Sequence, residues 1–346
     1  MIGIIYVLIA WLVFILSGLG NGLSTLAAAT FKNMDADYVV FEQGSRASTA
    51  KSLLSGDLAE ELLGLPEVQA ASPIGIILSS ALKENGASDE EKVDIAIIGI
   101  EPGSFLEPGV IEGEGLSSER PAHAIVNESL KDAGFRVGDV FQLDGSTEKL
   151  TIAGFVRNET YNHVASVFVP IEEWRNITFA APGSDKGVAN PVNAIVLQGK
   201  AIDPAAIDDR LPGTMTVTRS QAVQGIPGYK EESGTILMML GFLLVIGALI
   251  VGVFFYVFTM QKTNQFGIMK AIGAKNGYLA KSVVSQVFML SAAGIGAGLL
   301  LTYGTAAVMP EGMPFNLDTR WRTGSFPTSG CAKSASSSRL RTSCRI

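Results

Sequence analysis

Three long stretches of this chain contain no Asp, Glu, Lys or Arg: Met1–Phe31, Ser233–Gln261 and Ser282–Pro310. A helix needs roughly 20 residues to cross a hydrocarbon core about 30 Å thick, and each stretch is long enough. A helix buried in a soluble core rarely runs to that length without a charge, and the second stretch includes TILMMLGFLLVIGALIVGVFFYVFTM. The third is rich in Gly, Ala and Ser, residues that let membrane helices approach one another closely. The first has no basic n-region and is long for the apolar part of a signal peptide, so it also reads as a span. These stretches explain why only 17% of the 346 residues are charged, against about a quarter in soluble domains.

Charge sets the orientation. Between the second and third stretches stand Lys262, Lys270, Lys275 and Lys281 with no acidic residue, which places that short loop in the cytoplasm. Residues 29–234 hold 16 basic and 31 acidic residues, a formal charge of −15, and therefore lie outside. Some 200 residues suffice for a domain with its own core. The expected fold class is an α-helical transmembrane protein with an α+β extracytoplasmic domain inserted between the first and second transmembrane helices. The expected boundaries are 1–31 for the first span, 32–232 for the outer domain, 233–260 for the second span, 261–281 for the cytoplasmic segment and 282–310 for the third span. The expected setting is the bacterial cytoplasmic membrane.

Within the outer domain, strands are expected at Tyr38–Phe41, Val93–Ile100, His123–Val126, Val137–Leu143, Leu150–Val156, Ser166–Pro170, Ala194–Leu197 and Met215–Thr218. Helices are expected at Ala59–Leu63, at Glu128–Ala133 with Asn127 as its cap, at Ile171–Ile177 and at Pro204–Leu211. Gly109–Gly115, GVIEGEG, lacks the Lys-Ser/Thr ending of a phosphate loop and reads as a turn. The only histidines are His123 and His163, too few and too far apart for a zinc site. No nucleophile stands beside a base. The chain is expected to be no enzyme, with no permanently bound cofactor, no metal and no nucleic-acid partner.

The cytoplasmic segment, QKTNQFGIMKAIGAKNGYLAKS, carries Phe266, Ile268, Met269 and Ile272 at helical spacing, with Lys262, Lys270 and Lys275 beside them. One reading is a helix lying on lipid headgroups; the other is a docking helix for a cytoplasmic protein. The run Gly267-Ile268-Met269-Lys270-Ala271-Ile272-Gly273-Ala274, directly after a span ending in Gln261 and Lys262, resembles the signature of the FtsX-like, macrolide-exporter-type permeases of ABC systems. AIVNESLKDAG followed by RVGDVF resembles that family's external domain. Within the family the chain looks most like the hemin transport permeases, through Ser17-Gly18-Leu19, Gly22-Leu23, Asp37-Tyr38-Val39-Val40, Ile226-Pro227-Gly228-Tyr229, Phe254-Phe255-Tyr256-Val257 and Met313-Pro314-Phe315.

The resemblance implies a permease homodimer in the lipid bilayer, with ATP bound by a separate cytoplasmic ABC ATPase subunit. It implies that Phe266, Gly267, Ile268, Met269, Lys270, Ala271, Ile272, Gly273 and Ala274 form the ATPase contact. It also implies heme, or a similar amphipathic compound, as exported substrate. Tyr229, with Glu231 beside it, and Tyr38 stand at the outer ends of the first two spans and are candidate substrate contacts, against the plainer reading of interfacial anchors. Two other uses of the architecture stay open: export of lipoproteins or macrolide-like drugs, and regulation of a cell-wall hydrolase. The family calls for a fourth span after an external loop at 311–319. From Arg320 the text turns to Arg, Ser and Thr with Cys331 and Cys344, so residues 320–346 are expected to be a frameshifted or truncated tail in place of that span. The first span also starts without preceding basic residues, as a clipped N-terminus would.

Overall fold

The computed structural model describes residues 2–83, 92–273 and 276–309. Ala274, Lys275, the loop at 311–319 and the tail with Cys331 and Cys344 lie outside the described residues. Along the chain come α1 (Ile2–Asn33), β1 (Tyr38–Glu42), β2 (Leu54–Ser55), α2 (Leu58–Leu63), β3 (Val68–Lys83), β4 (Lys92–Ile100), β5 (Val110–Gly113) and β6 (His123–Asn127). There follow β7 (Val140–Leu143), β8 (Lys149–Val156), β9 (Thr160–Tyr161), β10 (Val164–Pro170), α3 (Ile171–Thr178), β11 (Pro191–Val192), β12 (Ala194–Gly199), α4 (Pro204–Arg210), β13 (Thr214–Thr218) and α5 (Arg219–Gln224). The chain then runs through α6 (Tyr229–Gln261), α7 (Thr263–Ala271) and α8 (Asn276–Val308).

Three helices, α1, α6 and α8, are long and apolar enough to cross a membrane. Each extends past its uncharged stretch: α1 reaches Asn33, α6 starts at Tyr229 and α8 starts at Asn276. α1 lies between the other two. Glycines make this possible on the α8 side, where a Cβ added to Gly294 or Gly298 would stand 2.7 Å from the Tyr6 Cβ or 2.8 Å from the Ala10 Cβ. Small residues four apart thus bring two backbones together, as the composition of the third stretch implied. Trp11 Nε1 donates to Thr305 Oγ1 at 3.0 Å across the same contact.

Eleven of the described strands form one mixed sheet in the order β13-β1-β12-β3-β4-β10-β6-β8-β5, with β7 paired to β3 and β8, and β9 to β10, while β2 and β11 form a separate two-stranded sheet. Two pairs are parallel, β10 with β4 and β6 with β8. β3 joins two wings: Val68–Ile74 pairs with β12, and Gly75–Leu82 with β4. Alternation along the strands gives the sheet two apolar faces. Val40, Ile95, Ile97 and Val167 face α2, α3 and α4, through Leu62, Trp174 and Ile207. Val39, Phe41, Ile98 and Phe168 face the end of α1 and α5, through Phe31, Ala222 and Val223. Trp174 lies flat on the cross-strand pair Gly75 and Gly99, where an added Cβ would fall 2.2 or 2.4 Å from its side-chain atoms.

The structure corrects several local expectations. Gly109–Gly115 is not simply a turn: Val110–Gly113 is the edge strand β5, paired with β8. Asn127 caps as expected, its side chain accepting from the Ser129 N–H at 3.0 Å, but it caps a short 3-10 turn, Glu128–Lys131, and not a helix to Ala133. The strand expected over Val137–Leu143 begins only at Val140. The 16-residue β3 and the helix α5 were not foreseen.

Candidate functional site

Two regions carry the functional arguments: α7 on the cytoplasmic side, and the junction where α1 and α6 enter the outer domain. α7 follows α6 almost without a break, since Lys262 N donates to both Phe258 O and Thr259 O, and Phe266 N to Lys262 O. The turn closes with Gly273 N donating to Lys270 O, and Gly273 takes φ +101°, a conformation open to glycine. No residue of α7 is buried. Ile268 is 63% exposed, and Ile272, at the helix's C-cap and four positions on, 82% exposed. That spacing puts both on one side of the turn. An uncovered apolar stripe flanked by Lys262 and Lys270 has the character of a contact surface.

At the opposite end α1 is kinked. Ala28 leaves helical geometry at φ −145°, ψ 21°, which frees carbonyls that would otherwise accept within the helix. The hairpin of β9 supplies donors: Asn162 N bonds Ala27 O at 2.8 Å and His163 N bonds Leu26 O at 3.2 Å. Both hairpin residues take positive φ to do so. Beyond the kink, Thr30 Oγ1 donates to Thr160 O at 3.2 Å and meets Ser166 Oγ at 2.9 Å. Arg219, the first residue of α5, gives Nη1 to Met34 O at 2.6 Å and so closes the end of α1.

Glu159 sits in this clamp, 6% exposed. Its Oε1 accepts from Asn33 Nδ2 at 3.0 Å, and Asn127 Nδ2 donates to its carbonyl. Burial pushes its carboxyl up to about 7, opposed by the hydrogen bonds from Asn33 and Thr30. Sequence reading passed over Glu159; its only signal is a carboxylate just before a strand of otherwise buried residues.

Tyr229 is the first residue of α6, half-buried, with its hydroxyl 2.8 Å from Ser24 Oγ of α1. Lys32 Nζ donates to Ser24 O at 2.7 Å and to Ser24 Oγ at 2.8 Å, and stands 5.4 Å from the centre of the Tyr229 ring. Glu231 is exposed on the same first turn, and Glu232 meets His163 Nε2 at 3.0 Å, tying α6 to the hairpin. Tyr38 is not part of this cluster. It packs with Val40 on the sheet face opposite to the one Tyr229 meets, so the structure separates the two tyrosines. Among the described residues no group of three or more His, Cys, Asp or Glu is placed to hold a metal ion.

The chain matches two family descriptions: MacB-like periplasmic core domain over residues 1–212, and FtsX-like permease C-terminal over residues 237–330. The second match runs past Arg320, into the stretch expected to break the family pattern. A Staphylococcus epidermidis (strain ATCC 12228) protein named "Putative hemin transport system permease protein HrtB" is 26% identical over 316 residues, covering 90% of this chain and 82% of its own length. An uncharacterized ABC transporter permease of Mycobacterium tuberculosis (strain H37Rv) is 23% identical over 88% of this chain and 80% of that protein. Among solved structures, the extracellular domain of the noncanonic ABC-type transporter YknZ from Gram-positive bacteria aligns at TM-score 0.38 with 12% identity, over 52% of this chain and 99% of that one. The periplasmic region of MacB from Actinobacillus actinomycetemcomitans aligns at TM-score 0.37 with 12% identity, over 56% and 93%. A membrane-crossing helix, an α+β outer domain and further crossing helices in this order, matched along most of the chain, lead to one assignment: the chain belongs to the FtsX/MacB-like family of ABC-transporter permeases, non-catalytic multi-pass membrane subunits whose architecture implies a cytoplasmic ATPase partner.

Proposed function

We propose that this chain is the membrane subunit of an exporter that moves heme, or a similar amphipathic anion, away from the cell, working as a homodimer with the ATPase docked on α7. The observation that carries the coupling is the uncovered stripe of Ile268 and Ile272 at the cytoplasmic end of an unbroken α6. In this reading Phe266 to Ala274 form the ATPase contact, with the apolar side chains entering the partner and Lys262 and Lys270 at the rim. The substrate is supported by the likeness to the staphylococcal protein and by the spans themselves. Their uncharged stretches leave no ionisable relay at membrane depth, which suits a lipid-borne molecule better than a hydrated ion.

Of the three candidate residues we take Tyr229, at the start of α6 and beside Ser24 of α1, as the contact for a molecule leaving the outer leaflet. Its oxygen suits ferric iron, though binding there has to displace Ser24; Glu231 lies on the same turn, and Tyr38 lies apart. The test is growth in hemin of a strain lacking its own exporter, carrying this permease with its ATPase. Restored growth that Ile272→Glu abolishes supports the reading. Equal sensitivity with and without the pair removes heme as the cargo, and a parallel macrolide panel reports the drug alternative. Hemin titration of Tyr229→Phe tests the ligand: an unchanged absorbance spectrum and affinity would remove Tyr229 from the site.

A further inference from the structure

The outer domain is strongly acidic, yet two neighbouring cavities at the start of α6 are cationic. One, about 440 Å³, is lined by Lys51 and Lys186 and, among the described residues, by no acidic side chain. The other, about 580 Å³, has Arg46, Lys51 and Lys230 and, among the described residues, Glu231 as its one acidic side chain. They share Lys51 and Pro227, and Pro227 immediately precedes the left-handed Gly228 from which α6 departs. Neither Lys51 nor Lys186 makes a salt bridge among the described residues. The first cavity also has an apolar wall. Ile77 and Phe179 are half-buried there, and Leu78 is 50% exposed. The buried hydroxyl of Thr178, on the same lining, has no hydrogen-bond partner among the described residues.

The wall that carries Lys51 is held in place. Arg46 and Ala47 take positive φ, and a Cβ added to Gly225 would stand 2.1 Å from Ala47 O, so the segment rests directly on the end of α5. Thr49 Oγ1 meets Tyr161 Oη at 2.8 Å, and Ser52 O accepts from Asn193 Nδ2 at 3.1 Å. Backbone strain held by such contacts is characteristic of ligand clamps, and the cavity falls in the size range of small-molecule sites. In a domain of formal charge −15, an anion meets repulsion across most of the surface and attraction here.

We propose that the cavity between Lys51 and Lys186 binds an amphipathic carboxylate, its acid groups toward the two ammonium groups and its apolar part against Ile77, Leu78 and Phe179. This rests on the reading of the chain as an exporter of amphipathic anions and gives that cargo a docking place outside the membrane. Trp174 reports on it, because its ring lies 5.6 Å from that of Phe179. The full chain, with Trp11→Phe and Trp321→Phe leaving Trp174 as sole indole, is placed in phosphatidylcholine nanodiscs. It is titrated with hemin and, separately, with a dansylated long-chain fatty acid, reading Trp174 quenching and energy transfer. The Lys51→Gln/Lys186→Gln double variant, altered only at exposed positions, is expected to weaken both probes about tenfold, with hemin dimethyl ester unaffected. Lysine-dependent fatty-acid binding with no hemin binding upholds the site and removes hemin as its ligand. Hemin bound equally by both proteins overturns the site while leaving hemin export standing, and a wild-type Trp174 signal that neither probe moves overturns the site outright.

Discussion

Replacing Glu159 with Gln separates the charge of this side chain from its shape. The amide that replaces the carboxylate keeps an oxygen for Asn33 Nδ2, which stands 3.0 Å from Glu159 Oε1, and it cannot ionise. The wild-type carboxyl is raised from 4.5 to about 7, with burial the first cause. Below about pH 4.5 both folded and unfolded chains hold the proton, and the group leaves stability unchanged with pH. Between there and about pH 7 the unfolded chain releases the proton while the folded one keeps it, so wild-type stability falls as pH rises; above that range the loss is complete. The rise corresponds to about 3 kcal/mol, which for a domain near 200 residues is roughly 6–12 °C in Tm. The assay is thermal unfolding of the full chain in nanodiscs, at steps from about pH 5 to about pH 8. Glu159→Gln should gain on wild type as pH rises to about 7 and then run parallel to it. A Tm difference that is the same at every pH refutes the reasoning, since a packing effect carries no proton.

Gly99→Ala drives a methyl to 2.4 Å from the Trp174 Cβ and should lower Tm by the equivalent of about 1–3 kcal/mol, without altering the cytoplasmic face. Ile268→Glu with Ile272→Glu should abolish stimulation of the ATPase in reconstituted particles, while Tm stays within about 0.5 kcal/mol of wild type because both side chains are exposed; full stimulation would remove α7 from the interface. Ser24→Ala should cost about 1 kcal/mol per lost bond to Lys32 and Tyr229. Combined with Tyr229→Phe it should cost less than the sum of the two single changes, as a double-mutant cycle in Tm will show.

The membrane helices were legible because absence of charge over more than 20 residues is a pattern few other structures produce. Strands β4, β8, β10 and β12 were legible because short apolar runs ended at turn residues. β3 was not, because Pro73 and Gly75 stand in its middle and read as punctuation. The structure shows why they are tolerated. Pro73 pairs with Ile195 in the half of β3 that faces β12, and Gly75 begins the half that faces β4, so the proline lies where the strand exchanges one wing for the other. The exposed apolar side chains of α7, Ile268 and Ile272, were legible because they are local in sequence. The outer junction was not: Asn33 meets Glu159 across 126 residues and Ser24 meets Tyr229 across 205, and no periodicity carries such pairings.

Those distant pairings bear on how a push at α7 could reach the outer domain. α6 runs 33 residues from Tyr229 to Gln261, about 50 Å at 1.5 Å per residue, with no break to absorb an axial or tilting displacement. At its outer end it is tied to α1 by Tyr229 and Ser24, and to the hairpin by Glu232 and His163. The hairpin in turn holds the carbonyls of Leu26 and Ala27 released by the kink, while Thr30 bonds to Ser166 on the central strand β10. A tilt of α6 against α1 is therefore passed to the sheet at β9 and β10. The same tilt acts on the cationic cavities, whose shared Pro227 is one residue from Gly228, the left-handed start of α6. Gly228→Ala, which disfavours the left-handed φ of +82° from which α6 departs, tests the link. Hemin-stimulated ATPase activity should fall while basal activity holds, and an unchanged ratio of the two would place the transmission elsewhere.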